Sequence, residues 1–159
     1  MLDILNINST LIPFIYLVIA LVLGSTLGLE RTFAGKTAGV RTFGLVAMGA
    51  CLFILIARFV IPGVEAFSYD PLRMAAGVVM GIGFLCGGVI ILRGGELSGL
   101  TTAAGLWVAA GIGMAVGYGF IALSIFATLA TLVVFTVFWF IEDKLISAKN
   151  VKGNGGPKG

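Results

Sequence analysis

The chain has 159 residues, 59% of them hydrophobic and 11% charged, with a net charge of +3 and no histidine. A soluble domain carries charge on about a quarter of its residues, so this composition and a mean hydropathy of +1.14 exclude a free-standing water-soluble domain and leave an integral membrane protein. The absent histidine removes the usual general base, proton shuttle and zinc ligand.

A span needs about 20 apolar residues to cross roughly 30 Å of hydrocarbon. Uncharged runs at 11–29, 74–92 and 100–141 supply about that length, the last of them twice over, and a shorter uncharged run lies at 44–57. They predict an all-α polytopic transmembrane bundle of five spans at 11–29, 42–61, 72–92, 101–118 and 120–141, together forming one domain over 11–141. A short segment, 1–10, precedes the bundle. A basic, glycine-rich tail, 142–159, follows it and has the composition of a disordered segment. The first run lacks the basic start and small-residue cleavage site of a secretory signal, so it is read as a retained span.

The first span carries Gly24 and Gly28 at a four-residue spacing, which places them on one helix face and lets a neighbouring backbone approach. It ends at Glu30-Arg31. Adjacent residues on a helix point apart, so these two are not expected to pair simply, and Arg41 or Arg93 is the expected cation for Glu30. An interfacial ion pair and a polar site for a cation or partner both remain open there. The second span contains Cys51 and the third Cys86. With no CxxC spacing and no aqueous setting, both are read as packing residues.

Asp70-Pro71 ahead of the third span is a helix start, the carboxylate capping free N–H groups and the proline occupying the first helical position. Arg73 lies one turn in, placed to pair with Asp70 or to snorkel. An external cation site using Asp70 and Glu65 is the sharper alternative. Gly77, Gly81, Gly83, Gly87 and Gly88 follow within the third span. No GxGxxG is present, and a mid-membrane setting makes close helix packing the reading of these glycines.

After Arg93-Gly94-Gly95, Ser98 or Thr101 is the expected cap of the fourth span. Ala115-Val116-Gly117-Tyr118-Gly119 echoes a potassium-filter phrase, but the chain runs directly into another apolar helix. A tight turn is the reading, with Gly113 and Gly117 forming one more small-residue pair. The fifth span has no internal glycine, is bulky on all sides and is expected to face lipid. Eight of the ten basic residues then fall on one side when the N-terminus is outside, which predicts N-out/C-in.

Taken together, GLER at 28–31, GKTAGVRT at 35–42, DPLRMAA at 70–76, GIGFLCGGVIILRGG at 81–95 and GLTTAAGLWVAA at 99–110 resemble the MgtC/SapB family of bacterial inner-membrane proteins. The resemblance covers roughly residues 20–118. It implies a five-span domain associated with growth at limiting magnesium and, in pathogenic relatives, with survival inside host cells. It also implies a regulator of membrane energetics, with ATP synthase as the partner it brings forward, and marks Glu30, Arg31, Arg41, Asp70, Arg73 and Arg93 as motif polar residues. Departures are Phe43 where the family pattern has histidine, Gly77 where it has glutamine and Cys86 where it has glycine. The chain looks like the short, SapB-like form without a C-terminal soluble domain.

The expected function is therefore non-enzymatic support of adaptation to low magnesium in the bacterial inner membrane. It would act through a homo-oligomer or a membrane-protein partner, with no cofactor, metal or nucleic acid. A small magnesium or other ion transporter is the alternative.

Overall fold

Residues 2–60, 72–93, 96–141 and 144 are described by the structure, a computed structural model, with the side chains of 2–10, 59, 60, 91–93 and 96 outside that description. The sequence expectations for Glu65, Asp70, the Arg93 side chain and the tail beyond Lys144 thus lie outside the described residues. Five helices are long and apolar enough to cross a membrane: Leu11–Phe33, Val40–Arg58, Leu72–Val89, Leu100–Tyr118 and Ile121–Ile141. The protein is an all-α, multi-pass transmembrane bundle.

Helix α1, Leu2–Phe33, begins well before the expected span and carries Pro13 within it. At 1.5 Å per residue its 32 residues extend about 48 Å, more than the hydrocarbon needs. It stops in a Schellman turn. Gly35 takes φ +67°, its N–H donates to the Thr32 carbonyl at 3.1 Å, and the Lys36 N–H donates to the Arg31 carbonyl at 2.9 Å. Thr32 then links two helices: its hydroxyl donates to the Gly28 carbonyl at 3.0 Å and accepts from the Val40 N–H at 3.3 Å.

Helix α2, Val40–Val60, packs between α1 and helix α4, Leu100–Tyr118. Glycine permits both approaches. A Cβ at Gly24 would stand 2.6 Å from the Ala47 Cβ and from the Phe43 carbonyl, and one at Gly28 would stand 2.6 Å from the Val40 Cα. From α4, Gly113 seats against the backbone of Ala47 and Gly117 against Ile54 and the Cys51 carbonyl. Leu27, Phe43, Leu106, Ala109 and Ile112 form the core between these three helices, joined by Phe135 from the fifth.

Helix α3, Leu72–Val89, is attached differently. Ile82 is its buried residue, and it leans on α4 and only lightly on α2. Gly77, Gly81, Gly83, Gly87 and Gly88 have nothing within 4 Å of an added Cβ. The glycines expected to pack this helix make no such contact inside the chain. Gly77 and Gly81 instead line an apolar groove of about 610 Å³ between α2, α3 and α4, floored by Ala50, Ile82 and Ala110.

Two further features depart from expectation. The third span ends at Val89, and the chain then forms a small antiparallel hairpin, β1 Ile91–Arg93 with β2 Glu96–Ser98, pairing Ile91 with Ser98 and Arg93 with Glu96. The N-cap of α4 is Gly99 at φ +89°, with no side-chain hydrogen bond to the cap. The N-cap position thus falls on Gly99 rather than on Ser98 or Thr101. Gly99 holds a left-handed conformation that a capping side chain rarely adopts, and an added Cβ there would strike the Val89 carbonyl.

The turn expected at Gly117–Gly119 is present as a second Schellman motif. Gly119, at φ +91°, donates to the Val116 carbonyl and Phe120 to the Ala115 carbonyl, each at 2.8 Å. Arg58, at the far end of α2, ties this end down by donating from Nη1 to the Gly117 carbonyl at 2.8 Å. Arg58→Met is expected to cost about 1 kcal/mol, the value of an exposed charge-assisted hydrogen bond. The check is the unfolding midpoint in mixed dodecyl maltoside–SDS micelles.

Helix α5, Ile121–Val133, turns its outer side to lipid and its inner side to α4 through Ser124 and Thr128. The Ser124 hydroxyl donates to the Phe120 carbonyl at 2.9 Å, and Thr128 to the Ser124 carbonyl at 2.8 Å. The helix then widens into a π-turn at Val134–Phe138 before finishing at Ile141. One residue of that turn, Phe135, is buried, so the expectation of a uniformly lipid-facing fifth span holds for only part of its surface.

Candidate functional site

Charge concentrates where α1 and α5 end and α2 and α4 begin. Arg31, in the last turn of α1, is only 3% exposed. Its guanidinium lies 3.8 Å above the centroid of the Phe135 ring, and that ring is aimed inward by the π-turn onto Gly105 of α4, beside Phe43. A desolvated cation over an aromatic face gains about 2 kcal/mol.

The partner of Arg31 is Glu30. Nη2 donates to Oε1 at 2.8 Å, and Nε makes a second bond to Oε2. The expectation that these adjacent residues would not pair is corrected by this fork. Both side chains are long, and because Arg31 lies inward over Phe135, Glu30 folds over to meet its edge. This is the one salt bridge among the described residues, and the Glu30 side chain is 17% exposed in it. Arg41, proposed from sequence as a partner of Glu30, is exposed on α2.

Beside this pair opens a cavity of about 600 Å³. Arg31 and Lys36 line it from α1 and its Schellman turn, Gly99–Thr102 from the start of α4, and Phe135, Phe138 and Trp139 from the fifth span. Lys36 is exposed, and its backbone bond to the Arg31 carbonyl keeps it beside the buried guanidinium. The Schellman turn thus sets two cations on one cavity. The sequence signal was Gly35-Lys36 directly after the last turn of α1, and it went unused for this purpose.

Of the other residues marked by sequence, Arg73 is exposed near the start of α3 and is not part of this cavity. Arg93 belongs by its backbone to the hairpin. Cys51 is buried, and Cys86 donates from Sγ to the Ala103 carbonyl at 3.1 Å, joining α3 to α4. Among the described residues no three of histidine, cysteine, aspartate and glutamate gather as metal ligands.

Comparison with known proteins places these features in a group. The MgtC family model matches residues 17–144. The Escherichia coli K12 protein named "Putative magnesium transporter YhiD" is 39% identical over 136 residues, 84% of this chain and 63% of that protein. The Salmonella typhimurium LT2 protein MgtC is 44% identical over 93 residues, 58% of this chain and 38% of the relative. A Synechocystis protein, slr0014, is 47% identical over 88 residues, 55% of this chain and 36% of the relative. The chain therefore spans between about a third and five-eighths of the length of these curated relatives. No solved structure matches it significantly.

Proposed function

Since the chain belongs to the MgtC family, we propose that it is a non-enzymatic inner-membrane regulator supporting adaptation to low magnesium. In this reading it acts by contact with a membrane partner rather than by conducting ions. The observation that carries the reading is the distribution of polarity. The charged pair and its cavity sit at one end of the bundle. The interior above them is closed by apolar Leu106, Ala109, Ile112 and Val116 on α4 and by Gly113 and Gly117 seated on α2. A hydrated divalent cation needs oxygen ligands along its path. Apart from Arg31 of the end site, the buried polar side chains within the described spans are Thr102, Ser124 and Thr128, and the Ser124 and Thr128 hydroxyls donate to backbone carbonyls of the bundle.

In this reading the basic end lies at the cytoplasm, following the excess of Lys and Arg there. The lightly attached α3 supplies the partner contact. The resemblance makes ATP synthase one such partner and a second copy of the chain another.

The name of the Escherichia coli relative favours a second reading, a magnesium transporter. Purified protein in liposomes loaded with a magnesium-sensitive dye separates the two. The expected outcome is magnesium entry equal to that of empty vesicles, with native helicity by circular dichroism. Saturable, protein-dependent entry would overturn the regulator reading.

A further inference from the structure

We propose that the cavity at the basic end binds the phosphate head of an acidic phospholipid, whose chains lie along Phe138 and Trp139. The inference rests on the cavity alone and stands or falls independently of the low-magnesium reading.

The cavity, about 600 Å³, has the volume for a headgroup, and its walls differ in chemistry. On one side are two cations. The charge of Arg31 is balanced by Glu30, so Lys36 brings the uncompensated positive charge among the described residues that line it. On a second side is the first turn of α4, where Ala103 is the first residue whose N–H reaches an acceptor of the helical pattern, the Gly99 carbonyl at 2.8 Å. The N–H groups before it have no intrahelical acceptor and carry the positive end of the helix dipole. These groups reinforce Lys36.

The third side is apolar. Phe138 and Trp139 are 59% and 56% exposed and continue the lipid-facing surface of the fifth span. A free anion has no use for such a wall. A phospholipid presents its phosphate and its chains together at this boundary, and basic pockets between membrane helices recognise acidic headgroups by that combination. The charge of the cavity is therefore matched by an anion, and its open apolar side by chains that enter from the bilayer.

Tryptophan fluorescence tests this directly. The chain has two tryptophans, so Trp107→Phe leaves Trp139 as the sole reporter. The full chain is reconstituted in phosphatidylcholine vesicles containing brominated phosphatidylglycerol or brominated phosphatidylcholine. Half-maximal quenching is expected at about fivefold lower mole fraction for the acidic lipid, the size of one lysine at an acidic surface. Lys36→Gln, a change at an exposed side chain, is expected to erase the preference, and Lys144→Gln, outside the cavity, to retain it. Equal quenching by the two lipids would overturn the proposal, as would equal loss in both lysine variants, which marks a diffuse basic surface. Loss of the preference in millimolar inorganic phosphate would assign the cavity to a free anion and also overturn it.

Discussion

Gly113→Ala is expected to destabilise the bundle by about 2 kcal/mol and Gly113→Leu to prevent its assembly, while Gly81→Leu leaves the stability of the isolated chain within about 0.5 kcal/mol. The added Cβ at 113 would fall inside contact distance of the Ala47 carbonyl oxygen, with the Ala47 carbonyl carbon 2.7 Å and its Cα 2.9 Å away. These are backbone atoms of a helix also packed closely against Gly24 and Gly28 of α1, so α2 cannot yield without disturbing its contact with α1. At Gly81 an added Cβ meets nothing within 4 Å, and a leucine would enter the groove of about 610 Å³ beside α2. Unfolding in mixed detergent–SDS micelles, followed by far-UV circular dichroism, measures both variants. A stable Gly113→Leu protein would show that α2 and α4 do not meet so closely.

The same pair of variants tests the regulator reading in cells. Growth at limiting magnesium is expected to fail in both, for different reasons. Gly113→Leu removes the protein, whereas Gly81→Leu leaves it folded and blocks the α3 face proposed as the partner contact. Full growth with Gly81→Leu would show that this face has no partner role.

Sequence made the spans readable because length and hydropathy are direct consequences of bilayer thickness. It also gave the turn at Gly119, since an apolar run of 42 residues must break and glycine is where it can. What spacing could not give was the neighbour across each glycine. Gly24, Gly28, Gly113 and Gly77, Gly81 have the same four-residue repeat, but the first three meet helix backbone and the last two border open space. Periodicity fixes a face, and only the tertiary arrangement fixes what lies opposite.

The hairpin was legible in principle. Ile91-Leu92-Arg93 and Glu96-Leu97-Ser98 flank Gly94-Gly95, a two-glycine spacing that favours hairpins, but the hydrophobic run from Met74 hid it. The π-turn left no such mark, because Val134 to Phe138 reads as ordinary apolar helix. Sequence marked Glu30 and Arg31 as a polar site, but the consequence of the π-turn, Phe135 turned beneath Arg31, was beyond reach of sequence. The Glu30–Arg31 fork was missed because the helical offset between adjacent residues describes their Cβ directions, not the ends of two long side chains in a final turn.

That fork carries the second large expected effect. Glu30→Gln preserves shape and removes the charge, leaving the 3%-exposed Arg31 guanidinium without its counterion. Removing one partner of a buried pair costs about 3–5 kcal/mol, since the remaining charge stays desolvated. The stacking on Phe135 offsets only part of that cost, being worth about 2 kcal/mol and present before the change as well. The double variant Glu30→Gln/Arg31→Met removes both charges and keeps an apolar chain over the Phe135 ring, so it is expected to be more stable than Glu30→Gln alone. Because the pair is shielded by α1, α4 and the π-turn, the cost of Glu30→Gln should change little between about 0.05 and 0.5 M salt, where exposed pairs are screened. A cost below about 1 kcal/mol, or one that vanishes in high salt, would place the pair at the surface and remove the electrostatic anchor from this end of the bundle.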